Sequence, residues 1–289
     1  MKNLTLWIAL AALAALGPAA CGAAGGGGGD DDAPDGGAPQ DSVGYPADAL
    51  GAWTIVTLGD SLTEGVGDSE WTEDGLPVGY PGRLEQRLWA RGVGAEVLNL
   101  GRSGWTSVEL VQGNPWDDPD TSQLDLAQPL LDAAVQAGRD TVACLWIGSN
   151  DLFSLYGICH APDNGPCEEE DLEQFEANID AALDRLTATG ATVYVALLDD
   201  QSLRPVLADP AYADSFPEIE AADLALMAAQ VVRYNDTIET LAAQYGAHTV
   251  SFYDTTLFSD PATLDEDGNH PNGTGYDIIA GIWDDTLGL

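Results

Sequence analysis

From residue 51 onward, apolar runs alternate with stretches that carry a helical period. Five runs, Trp53–Leu58, Glu96–Leu100, Thr141–Ile147, Thr192–Leu198 and His248–Phe252, are short, apolar or β-branched on both faces, and bounded by turn residues. Such runs predict parallel strands buried on both sides. Helices are predicted near Tyr80–Arg91, Leu124–Ala137, Leu172–Thr189 and Ile219–Tyr245, with Asn272–Leu287 closing the chain. Strand and helix alternating at this spacing argue for one α/β domain over residues 51–289, with a five-stranded parallel sheet covered on both faces. No internal repeat or second domain is legible.

Residues 1–20 break this pattern. One Lys2, an apolar run from Leu4 to Leu16 and a string of small residues predict an export signal. The run is short for a membrane span, and no later segment supplies one. Cys21 comes after Pro18-Ala19-Ala20 and precedes Gly22, which resembles a bacterial lipoprotein processing site and predicts lipidation of Cys21. An apolar residue usually stands three before such a cysteine; here the place is taken by Pro18, and an ordinary signal-peptidase site is the alternative. Residues 21–50 are rich in Gly, Ala, Asp and Pro, with too few large apolar residues to fold. A flexible tether of that length reaches roughly 30 Å, enough to hold a domain off a membrane. The expected location is therefore the cell envelope, lipid-anchored, or the secreted fraction.

Charge narrows the partners. The chain has 48 acidic residues against nine Lys and Arg, a net −39. Removal of the signal would take away Lys2 and leave arginine as the sole basic type apart from histidine. A surface so acidic repels nucleic acid and anionic membrane faces, and weighs against strongly anionic substrates. It fits a salty environment, with calcium binding as a weaker reading. Membrane contact is expected only through the lipid anchor, and a monomer is expected.

Three further cysteines divide by context. Cys144 sits in an apolar run and should be a buried free thiol. Cys159 and Cys167 flank a turn-rich segment, and in an oxidising compartment predict a small disulfide staple worth roughly 2–3 kcal/mol. His160 between them makes a metal site conceivable, but the spacing fits no standard zinc pattern.

In parallel sheets, ligands bind at the carboxyl ends of the strands, so the segment just past each strand matters most. After the first comes Gly59-Asp60-Ser61-Leu62; after the second, Asn99-Leu100-Gly101-Arg102-Ser103-Gly104; after the third, Gly148-Ser149-Asn150-Asp151; after the fifth, Asp267-Gly268-Asn269-His270. A serine hydroxyl needs a base to take its proton, and the base needs a group that fixes its tautomer. Ser61 is the candidate nucleophile, His270 the base, and Asp267, three residues earlier, its orienting carboxylate. The backbone amides of Ser61 and Gly101 and the side chain of Asn150 are the candidate oxyanion donors. Gly101 has no side chain to block an acyl oxygen. This chemistry calls for no cofactor and no metal.

Gly-Asp-Ser-Leu, Asn-x-Gly-x-x-Gly, Gly-x-Asn-Asp and the late Asp-x-x-His together resemble the blocks of the SGNH (GDSL) hydrolase family. They stand in the family's order, one per expected strand end, from Gly59 to Asn272. The resemblance implies a flavodoxin-like three-layer α/β/α sandwich and ester hydrolysis through an acyl-enzyme. It also implies Ser61, Asp267 and His270 as the triad, with Gly101 and Asn150 completing the oxyanion hole.

Neighbouring residues have plainer readings. Asp60 is expected to cap its turn, Asp151 to support a loop and His248 to be structural. Asp265-Glu266-Asp267-Gly268 hints at calcium but lacks EF-hand spacing. Trp71, Trp105, Trp116 and Tyr156 fall near the motif loops, where lining an acyl pocket and packing elsewhere are equally open. The leading expectation is a serine esterase on small or medium acyl groups, including acetylated carbohydrate. The alternatives are a non-catalytic glycan-binding surface lipoprotein on the same fold and a calcium-dependent adhesin.

Overall fold

The two most apolar runs form the centre of the sheet, because they alone are buried along nearly their whole length. In the computed structural model these are β1 (Trp53–Gly59) and β3 (Asp140–Trp146), which pair in parallel. β2 (Ala95–Asn99) lies outside β1, while β4 (Thr192–Leu197) and β5 (His248–Ser251) continue beyond β3. The order is β2-β1-β3-β4-β5, all parallel. This is the flavodoxin-like arrangement, whose chain reverses direction across the sheet between β1 and β3 and opens a crevice there. The structure describes residues 52–73, 75–115, 121–160 and 164–289. The export segment, Cys21, the tether and Trp116 lie outside the described residues.

Helices cover both faces. α2 (Gly79–Ala90) packs on α9 (Gly273–Leu287), and α4 (Gln123–Gln136), α6 (Gly165–Ala188) and α8 (Leu224–Tyr245) pack in succession. An aromatic cluster fills the space under the catalytic edge. Trp146 stacks on Phe252 at 4.1 Å between ring centroids, and Tyr80 stacks on Trp283 at 5.7 Å. All four rings are buried, and each side chain of this size contributes about 1.5–3 kcal/mol by leaving water. No described helix is long and apolar enough to cross a membrane.

The observed strands start or end within one residue of their expected limits. The helices depart further. α6 begins at Gly165 rather than Leu172, because Pro166 suits a first helical turn and the chain is already turning there. α8 starts at Leu224, five residues late, since residues 219–223 form turns before it. Ser61 opens a single-turn helix, α1 (Ser61–Glu64), and three further helices go beyond the sequence expectation: α3 (Ser107–Gln112), α5 (Ser149–Ile158) and α7 (Pro205–Ala208). α5 has no side-chain cap to mark its start, so its sequence gives no onset signal. Cys159 and Cys167 are joined in a disulfide and Cys144 is free and buried. The bridge occupies both sulfurs, so the metal reading of that segment is withdrawn. His160 instead faces Asp223, Nδ1 to Oδ2 3.2 Å.

Candidate active site

The nucleophile loop is shaped by one strained residue. Gly59 ends β1 with φ +156°, and a Cβ there would lie 2.1 Å from the Trp146 carbonyl oxygen, so no other residue fits. The next turn puts Asp60 at the N-cap of α1, its Oδ1 accepting the Leu62 amide at 3.0 Å. Ser61 is the first helical residue and is buried. Gln123, fully buried on α4, clamps the peptide before it: Oε1 accepts the Gly59 N–H at 2.8 Å and Nε2 donates to the Gly59 carbonyl at 2.7 Å.

The base loop comes from the other end of the chain. Asp267 Oδ1 accepts the amides of Asn269 and His270 at 2.8 and 2.9 Å, which folds the loop tightly over three residues. His270 Nδ1 lies 2.5 Å from Asp267 Oδ2, and its Nε2 lies 2.9 Å from Ser61 Oγ. The structure therefore brings Ser61, His270 and Asp267 into one hydrogen-bonded line. Asp267 donates no proton at neutral pH: partial burial pushes its carboxyl up, but bonds from His270 and two amides outweigh that and hold it below the usual carboxylate range. Ionised, it fixes the imidazole with Nδ1–H toward itself and Nε2 free to accept from Ser61.

Asp60 contrasts with it. Its side chain is fully buried, Oδ2 has no hydrogen-bond partner, and burial lifts its carboxyl to about 6 against the opposing pull of the Leu62 amide and Arg204. It touches neither Ser61 Oγ nor His270 by hydrogen bond and serves as the cap.

The oxyanion side needs one correction. The sequence points to the Gly101 amide, but that N–H donates to Asn99 Oδ1 at 2.9 Å. The glycine is needed there for another reason: a Cβ would lie 2.3 Å from the Glu64 amide nitrogen, so Gly101 lets the loop press against α1. Three residues on, the Gly104 amide has no partner among the described residues, φ is +79°, and the space off its Cα is open. Asn150 turns its Nδ2 to the Trp105 carbonyl at 2.8 Å, which ties α5 to this loop and leaves its second N–H available. The Ser61 amide is also without a partner among the described residues.

The supporting residues are less visible in sequence. Asp151 anchors α3 by accepting from the Ser107 amide and hydroxyl at 2.9 and 2.5 Å, and burial raises its carboxyl to about 7 against those bonds. Arg204, 1% exposed, binds Asp199 through Nε and Nη2 at 2.9 and 2.7 Å. Its Nη1 reaches Asn269 Oδ1 at 2.9 Å, and the Val206 amide donates to the Gly268 carbonyl at 3.0 Å, so this corner braces the base loop. Of the aromatic candidates, Trp105 and Tyr156 are buried, while Trp71 is 64% exposed. His248 stacks on Tyr194 and stands far down β5 from the catalytic edge.

A buried serine in line with a half-buried imidazole and a more exposed carboxylate, at the switch point of a parallel sheet, defines a serine hydrolase of the α/β class. The model of the GDSL-like lipase/acylhydrolase family matches residues 57–278, and the chain belongs to that family, as a serine esterase or lipase. Among solved structures, an acetylxylan esterase from Geobacillus stearothermophilus is similar at 19% identity and TM-score 0.52, over 82% of this chain and 94% of its own. An alpha/beta hydrolase enzyme from the metagenome of Lake Arreo, Spain, is similar at 22% identity and TM-score 0.52, over 81% of this chain and 94% of its own. A second acetyl xylan esterase matches at 17% identity and TM-score 0.50, over 81% and 99%. At these identities the likeness concerns the fold. No curated protein matches the chain.

Proposed function

We propose that this esterase hydrolyses small or medium acyl esters through an acyl-enzyme on Ser61, with acetylated carbohydrate as the substrate class. The carrying observation is the line Ser61 Oγ–His270 Nε2, His270 Nδ1–Asp267 Oδ2, beside unpartnered amides of Ser61 and Gly104. In acylation His270 Nε2 takes the hydroxyl proton as Oγ bonds to the acyl carbon. The developing oxyanion meets the Ser61 and Gly104 amides and Asn150 Nδ2, which are fixed before the charge appears. His270 then returns the proton to the leaving alcohol. A water molecule then gives a proton to the same nitrogen as its oxygen bonds to the acyl carbon; the Oγ–acyl bond breaks, His270 passes that proton to Ser61 Oγ, and the acid leaves.

The carbohydrate assignment is supported by the exposure of Ser103 and Gly104 beside the oxyanion donors, which leaves room there for a bulky sugar. Export and anchoring through Cys21 rest on the sequence, and would place the site outside the cytoplasm. A panel of p-nitrophenyl esters of rising chain length, with acetylated xylan alongside, tests the substrate class. Acetate release from xylan and a fall in rate beyond short acyl chains are expected; a preference for long chains would overturn it. Partition into detergent that is lost in Cys21→Ser is the expected sign of the anchor.

A further inference from the structure

In a chain with 48 acidic residues against nine Lys and Arg, an arginine without an acceptor is unusual. Arg83 is held by Asp68, Arg91 by Asp284, Arg139 by Glu96, Arg185 by Asp125, Arg204 by Asp199 and Arg233 by Glu169. Arg87 donates to the Asp277 carbonyl. Among the described residues, only Arg102 has a guanidinium with no hydrogen bond or ion pair; it lies over the Trp105 ring, 5.4 Å from the centroid.

Its location ties it to the catalytic edge. The Arg102 amide donates to the Gly59 carbonyl at 3.0 Å, two residues before Ser61. The ring beneath its guanidinium belongs to Trp105, whose carbonyl accepts from Asn150 Nδ2. Arg102 is half-buried, while Trp105 is buried and forms a firm apolar seat. A carboxylate is close by: Glu64, three residues after Ser61, turns its Oε2 to the Ser103 amide at 2.5 Å instead of to the guanidinium. The planar fork of donors is thus seated, oriented and left unsatisfied next to the oxyanion loop. A guanidinium so placed matches a carboxylate in two parallel hydrogen bonds.

We propose that Arg102 is a recognition site for a carboxylate carried by the ester substrate, near the bond that is cut. Substrates of this class include half-esters of dicarboxylic acids, with the charge on the acyl side, and esters of uronic-acid units, with the charge on the alcohol side. Arg102 is a local exception to the repulsion that the net charge imposes on anions, and makes selection among anionic esters depend on contact. The proposal deepens the Ser61 esterase reading and rests on it.

The test compares anionic and neutral esters on the full-length protein in about 1 M NaCl, where the screening length is about 3 Å and net charge no longer decides. Mono-p-nitrophenyl glutarate against p-nitrophenyl butyrate probes the acyl side; 4-carboxyphenyl acetate against phenyl acetate probes the alcohol side. In Arg102→Gln the anionic-to-neutral ratio of kcat/KM should fall on the order of tenfold in one of the two pairs, with Arg102→Lys between. The pair that responds tells which side carries the charge. Ratios unchanged in both pairs would overturn the proposal. Absence of turnover of every ester by the unmodified protein would instead overturn the esterase reading. In that case calorimetry on Ser61→Ala still decides about Arg102: monomethyl glutarate should bind, and bind on the order of tenfold more weakly when Arg102→Gln is added. Equal binding by both would refute the site.

Discussion

The two loops that meet between Ser61 Oγ and His270 Nε2 are built in opposite ways. The nucleophile loop is buried and held from inside, by the Gln123 clamp on Gly59 and by a glycine conformation that no other residue could adopt. The base loop is more exposed and is held by its own backbone: Asp265 N–H donates to the His270 carbonyl at 2.8 Å, and Leu264 bridges to Pro271. The buried Arg204 side chain fastens it to the core. Asp60 in the first loop and Asp267 in the second show which environment lets a carboxylate orient a base. Asp60, desolvated and half-satisfied, titrates near about 6, in the range of an ordinary imidazole. Asp267 has three donors and stays ionised well below that range. A group that must hold imidazolium in the transition state needs the second environment.

The sharpest way to break this comparison is to exchange the roles. His270→Ala should lower kcat by about 10⁵–10⁶, and Asp267→Asn by about 10⁴ through loss of the correct tautomer. Asp60→Asn, which keeps an oxygen for the Leu62 amide, should cost far less. Steady-state kinetics on a short-chain ester measures all three; an Asp60→Asn loss larger than that of Asp267→Asn would reverse the assignment.

The next effect is smaller and lies on the oxyanion side. Asn150→Ala should lower kcat by about 10²–10³ with little change in KM, since its bond strengthens as charge develops. A change mainly in KM would make Asn150 a substrate clamp. Part of any stability loss in this variant would come from the broken tie to the Trp105 carbonyl, which a thermal melt reads separately.

The smallest effect concerns Asp60 and pH. Its folded pKa, about 6, lies above the ordinary value of 3.8, so the fold favours its protonated form. The stability this lends is present below about pH 4 and is lost as pH rises through about 6, a change on the order of a few kcal/mol. Asp60→Asn removes the titration. Relative to wild type, the variant should therefore gain melting temperature between about pH 4 and about pH 8, and the difference cancels the parallel contributions of Asp151 and Asp171. A constant difference across that range would mean that Asp60 is solvated or paired in solution.

Much of the fold was legible because strands apolar on both faces can only be interior, and their ends announced the motif loops. Ser61, Asp267 and His270 were legible for a related reason: reactive side chains stand immediately beyond those ends. Gly101 and Gly104 could not be told apart from sequence. Both are glycines of one loop, and which amide is free depends on the Asn99 side chain turning back onto its own strand end. Gln123 and Arg204 were missed because each acts across a distance of tens of residues, through a side chain whose partner is backbone or another loop. One signal was available for Arg204: a cation in an apolar-flanked segment of so acidic a chain needs a specific partner. The same reasoning exposes Arg102, which lacks one.

The proposed mechanism assigns the nucleophile to Ser61 and its activation to His270, oriented by Asp267. The most direct measurement is peptide mapping after reaction with a serine-directed alkyl phosphonate. One adduct per chain is expected, on Ser61, formed in step with loss of esterase activity and slowed by several orders of magnitude in His270→Ala. Labelling at another residue, or labelling of Ser61 at an unchanged rate without His270, would contradict it.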